Sequence, residues 1–140
     1  DAVAALVGDK NQRVAIVSQY RAPLGKSTKE IPAGILDKEG LSPKETVLEE
    51  LKEECHFSDE TIEKFRKQDF TSHTFYPIVG SSPTKLTLFL FELSTDGEDK
   101  KIKNDDVKEL RWVPIDEVKH YTDMKSSLAA HLYLSSSFGD

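Results

Sequence analysis

Five glutamates, Glu45, Glu49, Glu50, Glu53 and Glu54, crowd the stretch SPKETVLEELKEECHF, Ser42 to Phe57. Carboxylates this dense repel one another, so either solvent carries their charge or a cation belongs among them. On a helix turning about 100° per residue, Val47, Leu48, Leu51 and Cys55 share one face. Glu50 and Glu54 then stand one turn apart at the edge of that face. Glu53 lies beside Glu50, Glu49 lies further out, and Lys52 points elsewhere. Like charges at i,i+4 cost about a few tenths of a kcal/mol per pair. The C-terminal half of a helix also disfavours negative charge. A local preference broken in this way is expected at a functional site. Mg²⁺ or Mn²⁺ would resolve the conflict, because both take oxygen ligands and Mg²⁺ shares itself with substrate phosphates. The plainer alternative is a solvated acidic helix face.

Several elements must position these carboxylates. Ala2–Val7 and Arg13–Gln19 are apolar, β-branched runs separated by the turn-like GDKNQ, and they predict a hairpin. RAPLGKST predicts a loop, and KEIPAGIL a short extended piece around Pro32 and Gly34. The helix runs from Pro43 to Cys55: Ser42 suits the N-cap, Pro43 the first helical position, and Glu45 completes a capping box. A polar helix is expected over Asp59–Lys67. LTLFLFEL, Leu86–Leu93, is the clearest strand. TDGEDKKIKNDD predicts a charged loop, VKELRWVPI a strand halted by Pro114, and IDEVKHY a short helix. The last helix, Asp123–Ser135, carries Met124, Leu128 and Leu132 at i,i+4 spacing. Strands at both ends with helices between and after them predict one mixed α/β sandwich spanning residues 1–140.

Composition narrows the functions. A chain of 140 residues is long enough for one domain with a real core. The net charge of −6 disfavours general binding to nucleic acid or anionic membrane, which want a basic surface. It leaves room for an anionic small molecule held through a metal. Cys55 is the only cysteine, so no internal disulfide forms, as in a reducing, cytoplasmic setting. No apolar run approaches the roughly 18 residues of a membrane span. The chain enters an apolar stretch directly after Asp1, as a fragment trimmed at its N-terminus would. His73, His120 and His131 lack zinc-like spacing, VGSSPT lacks the lysine of a phosphate-binding P-loop, and no nucleophile–base pairing is recognisable.

The stretch EIPAGILDKEGLSPKETVLEELKEECHF resembles the signature of Nudix hydrolases: Gly, five residues, Glu, seven residues, Arg-Glu, an aliphatic, any residue, Glu-Glu, any residue, Gly, an aliphatic. QYRAP and EIPAG resemble the nucleoside-diphosphate-sugar branch, which includes ADP-ribose and UDP-sugar pyrophosphatases. The UDP-sugar members share the spacing of AGxxDxxGLS and the EEC ending. The resemblance is strong over residues 13–57 and looser elsewhere, where ELRWVPIDEV agrees with the family. It implies an α/β/α sandwich with a mixed sheet. It implies Mg²⁺ or Mn²⁺ held by Glu50 and Glu54, with Glu53 in the same cluster and the Ala33 carbonyl in reach. It further implies a ligand or base at Asp106 (Asp105 is nearly as good), substrate contacts from Arg21 and Glu30, and a base-stacking role for Phe75 or Tyr76, for both of which core packing is the more ordinary role. Such enzymes usually carry an N-terminal extension that supports a homodimer, a segment these residues lack.

The resemblance departs from the pattern in three places. One residue is inserted after Gly34, so the first Glu of the signature falls at Leu41, or at Gly40 without the gap. Glu49 replaces the Arg. His56 replaces the Gly at the helix C′ position, which often needs φ > 0. Two functions are therefore expected. The first is metal-assisted hydrolysis of a nucleoside diphosphate sugar, of UDP-glucose or ADP-ribose type, to a nucleoside monophosphate and a sugar phosphate. The alternative is a catalytically impaired binding or regulatory module, motivated by Glu49 and His56. Action on capped or triphosphorylated RNA fits poorly with an acidic chain.

Overall fold

The computed structural model describes residues 1–68, 72–102 and 107–136. The strands are β1 (Ala2–Gly8), β2 (Arg13–Arg21), β3 (Lys26–Glu30), β4 (Ala33–Ile35), β5 (Ser72–Phe75), β6 (Leu86–Glu92), β7 (Lys100–Lys101) and β8 (Val107–Pro114). The helices are α1 (Pro43–Cys55), α2 (Asp59–Lys67), α3 (Ile115–Val118) and α4 (Met124–Leu134). One mixed sheet runs in the order β5-β6-β1-β2-β8-β7, with β4 on β1 and β3 on β2. β1 and β6 are parallel along their whole length; the other pairs are antiparallel.

Helices cover both faces, so β1 is apolar at every position and β6 over Leu88–Phe91, rather than at alternate ones. Val3, Ala5 and Val7 of β1, with Phe89 and Phe91 of β6, pack under Val47, Leu48, Leu51 and Cys55 of α1 and Ile62 and Phe65 of α2. Ala4 and Leu6, with Leu86, Leu88 and Leu90, face Val118, Ala129, Ala130 and Tyr133 of α3 and α4. The expected α/β/α sandwich is therefore present.

The hairpin expected at the start is real only at its base. β1 and β2 meet at Gly8↔Val14, where the Asp9 carboxylate accepts from the Asn11, Arg13 and Gly97 backbone N–H groups at 2.9, 2.8 and 2.9 Å. Beyond that point the strands splay. β4 pairs with β1 and β3 with β2, and both fill the gap. RAPLGKST is accordingly not a simple loop: a 3-10 turn over Ala22–Leu24 leads into β3. The charged segment before β8 is likewise not a simple loop: β7 pairs with β8, and Ile102 is buried.

The helix α1 has the expected bounds, and Ser42 Oγ accepts from the Glu45 backbone N–H at 3.1 Å. The reciprocal half of the capping box is not formed. Arg66 of α2 takes the Glu45 carboxylate instead, with Nε and Nη2 at 2.9 and 3.1 Å. A two-pronged guanidinium bond competes well with a single backbone N–H. In α4 the buried residues are Ser126, Ala129, Ala130 and Tyr133, whereas Met124 is 60% exposed. Small residues let α4 approach the sheet closely. A Cβ on Gly8 would lie 2.6 Å from the Tyr133 hydroxyl, so that strand end must be glycine.

His56 ends α1 at φ 55°, ψ 33°, and its N–H bonds the Lys52 carbonyl at 3.1 Å. Left-handed backbone costs a side-chain-bearing residue about 1–2 kcal/mol, partly offset in Gly by chain entropy. The variant His56→Gly is expected to be about 0.5–1 kcal/mol more stable in a urea titration; an unchanged or lower midpoint would count against strain at this cap.

Candidate active site

The splay of β1 from β2 opens a wedge, and Glu30–Ala33 cross it. The Pro32 carbonyl accepts from Ala5 N–H at 3.0 Å, and Ile31 N–H donates to Ser126 Oγ of α4 at 2.9 Å. This crossing segment touches α1 on one side and α4 on the other, and it brings together residues far apart in the chain.

On the α1 side, Glu50 lies directly on Gly34. A Cβ there would sit 2.5 Å from Glu50 Cδ and 2.6 Å from Oε1, so any side chain would displace the carboxylate. Glu54 is tucked deeper. One oxygen, Oε1, accepts from Gln19 Nε2 at 3.4 Å. Its other oxygen, Oε2, is buried with no hydrogen-bond partner. Burial first, then the charge of Glu50, pushes the Glu54 pKa up to about 8. Burial, then Glu53, raises that of Glu50. Glu53 itself is exposed. Glu49 pairs with Lys38 of the preceding loop, so the acid that replaces the signature's Arg does not add an uncompensated charge.

On the α4 side, Glu30 is 3% exposed and heavily bonded. Arg21 grips it with Nε at 2.8 Å and Nη2 at 2.6 Å, Lys125 Nζ donates at 2.6 Å, and the Thr28 hydroxyl donates as well. Lys125 also binds Asp123 Oδ2 at 2.9 Å. Burial would raise the Glu30 pKa, but the bonds from Arg21, Lys125 and Thr28 outweigh it and hold it at about 2. Two acids in one site are thus driven in opposite directions by their surroundings.

A cavity of about 460 Å³ joins the two sides; Arg21, Lys125, Ala33, Gly34 and Glu50 line it, with Gln19 and Asp37. The structure therefore brings Arg21, Ala33, Glu50 and Glu54 together, with Glu30 behind Arg21 and Glu53 at the edge. Phe75 is not among the cavity's lining residues; it packs against the core beneath α4, although its strand partner Leu86 lines the cavity. Asp105 and Asp106 lie outside the described residues. Lys125 and Gln19 were not anticipated as site residues. Gln19 lay inside the quoted QYRAP, but Lys125 sits 95 positions from Glu30 with no local motif to mark it.

Among the described residues, no three Asp, Glu, His or Cys side chains form a ready-made ligand group. A divalent cation fits nevertheless. Glu50 and Glu54 offer adjacent carboxylates, one with a buried oxygen that lacks a partner. Mg²⁺ completes its shell with waters and phosphate oxygens rather than with protein alone.

Comparisons with known proteins bear on the family and the fold. A family model described as NUDIX domain matches residues 1–132. The chain is 32% identical over 117 residues to the ADP-ribose pyrophosphatase of Bacillus subtilis (strain 168), covering 83% of this chain and 59% of that protein. It is 45% identical over 62 residues to the methanol dehydrogenase activator of Bacillus methanolicus, covering 44% of this chain and 33% of that protein. The chain thus spans about a third and about three-fifths of those relatives. Among solved structures, a bifunctional NMN adenylyltransferase/ADP ribose pyrophosphatase from Francisella tularensis, complexed with AMP and Mn ion, superposes with TM-score 0.71 at 21% identity. That match covers 94% of this chain and 40% of that one. A C. elegans Ap4A hydrolase superposes with TM-score 0.64 at 15% identity over 94% of this chain and 95% of that one. At these identities the structural matches speak to the fold.

The opposed acids give a pH signature. In metal-free protein, folded Glu54 keeps its proton to about pH 8, whereas a free carboxyl releases it near 4.5. The folded state binds the extra proton between those values, so stability falls as pH rises through that window. Glu30 has the opposite sign: its contribution is complete above 4.5 and is lost as pH falls toward about 2. Denaturation midpoints of chelator-treated protein should decline from pH 5 to 8, and Glu54→Gln should remove most of that decline. Parallel curves for the two proteins would refute the assignment.

Proposed function

The chain belongs to the NUDIX domain family, and on that premise we propose that it hydrolyses the diphosphate linkage of a nucleoside diphosphate joined to a second moiety. ADP-ribose is the first substrate to test, since the relative matched over most of the chain is an ADP-ribose pyrophosphatase. UDP-glucose is the second. The products are a nucleoside monophosphate and a sugar phosphate. The observation that carries this reading is one cavity whose lining includes both the Glu50 carboxylate and the cations Arg21 and Lys125.

Each group has a part. Glu50 and Glu54 would hold Mg²⁺ or Mn²⁺, with Glu53 and the Ala33 carbonyl as further oxygens. When bound, the metal neutralises diphosphate charge and makes a bound water more acidic. Gly34 keeps Glu50 in place by leaving room for it. Gln19 holds one oxygen of Glu54 and leaves the other free for a ligand. Arg21, locked on Glu30, presents its remaining N–H donors to a phosphate in a fixed fork. The two substitutions that pointed toward a non-catalytic module are both accommodated: Lys38 pairs with Glu49, and His56 adopts the required left-handed cap.

Purified protein with Mg²⁺ or Mn²⁺ should release AMP from ADP-ribose at neutral to alkaline pH. Glu54→Gln should lower kcat by at least about 100-fold, the scale seen when metal coordination is disturbed. Gly34→Ala should cost at least about 10-fold in activity with the fold intact by circular dichroism. No turnover of ADP-ribose or UDP-glucose by the wild type would overturn the enzyme reading, and tight binding without turnover would favour the binding module.

A further inference from the structure

A second cavity, of about 440 Å³, lies beside the first. Arg21 and Lys125 line both. The second cavity continues past them to Pro23, Leu24, Thr28 and Thr122, away from the α1 carboxylates, with Glu30 and Asp123 also on its lining. Each volume falls in the range of small-ligand sites.

The wall between the cavities is built rather than incidental. Glu30 is buried, and Arg21 and Lys125 are both tied to it. The Lys125 side chain is 16% exposed and also ion-paired to Asp123. Two of the three ammonium protons are taken by Glu30 and Asp123, which leaves one donor. Arg21 uses two of its five donors on Glu30, which leaves three. Two positive and two negative side chains make this network formally neutral, so it orients an anion through directed donors and leaves net charge compensation to the metal side.

We propose that this wall is a diphosphate divide: Lys125 and Arg21 bind the two phosphates, and each cavity takes one half of the substrate. Lys125 is then a substrate-binding residue. The second cavity is the subsite for the moiety remote from the α1 carboxylates. Its apolar edge of Pro23 and Leu24 suits a flat ring, and Leu24 is 60% exposed until something covers it. Thr122 adds a hydroxyl for a sugar, and the Thr28 hydroxyl, its proton already donated to Glu30, can accept from one. The inference rests on the pyrophosphatase reading and adds to it where the second half of the substrate sits and that Lys125 holds it there.

Calorimetry in Mg²⁺ with two probes tests it: inorganic pyrophosphate, and a non-hydrolysable methylene-bridged analogue of ADP-ribose. Lys125→Met should weaken both probes at least 10-fold, while Lys125→Arg retains binding within a few-fold. Leu24→Arg, outside the ion-pair network, should weaken the analogue at least 10-fold and spare pyrophosphate. Melting curves confirm that each variant is folded. Binding of both probes by Lys125→Met within twofold of wild type overturns the divide, as does equal loss of the two probes in Leu24→Arg. Failure of the wild type to bind either probe overturns it as well. If the wild type hydrolyses nothing but Lys125→Met loses pyrophosphate, the pyrophosphatase reading falls and the divide stands. If ADP-ribose is hydrolysed with the same KM by wild type and Lys125→Met, the reading stands and the divide falls.

Discussion

Everything about the site depends on two strands that start together and part. β1 and β2 share one register pair, Gly8↔Val14, and diverge from it. Separated strands leave unpaired N–H and C=O groups, and buried backbone groups must find partners. Here β3 and β4 supply them, one to each strand. The short link between β3 and β4 must then cross the gap within Ile31–Pro32. That geometric necessity places Glu30 against α4 and Ala33–Gly34 against α1. The floor of the cavity is thus a by-product of satisfying the sheet.

The crossing segment also separates two electrostatic regimes only a few residues apart. On one side Glu30 is buried yet saturated with donors, and it stays charged as an internal counter-ion. On the other side Glu54 is half-buried with one oxygen sealed off from any donor, and its charge is unsupported until a cation arrives. The first acid stabilises the framework, and the second holds capacity for a ligand at the expense of stability. Functional sites are where such conflicts between local preference and environment accumulate.

The helix that carries the acids was readable residue by residue. Ser42, Pro43, the buried stripe from Val47 to Cys55 and the left-handed cap at His56 are all short-range features, and short-range chemistry sets them. β1, β2, β6 and β8 were also visible as apolar runs, whereas the polar strands β3, β5 and β7 were not. What stayed hidden was long-range. Arg66 takes Glu45 from its own helix, Lys38 rescues Glu49, and Lys125 reaches Glu30 across most of the chain. In α4 the i,i+4 pattern found Leu128 and Leu132, which pack against the core, but it also counted the exposed Met124 and passed over Ala129 and Ala130, which pack by smallness rather than by hydrophobic bulk. RAPLGKST has the composition of a loop, yet it enters a strand because β2 needed a partner.

The contact of Glu50 on Gly34 bears on how this segment can vary in length. The distance between α1 and β4 is set where the carboxylate meets bare backbone, not by the loop that joins them. The intervening residues 36–42 are mostly exposed and turn through Gly40 at φ +83°. One residue more than the signature specifies can therefore be absorbed in that turn while the two touching atoms stay in register. Spacing along the chain and spacing in the site are decoupled here, so a strict count of residues between glycine and glutamate undervalues sequences that keep the contact and change the connector.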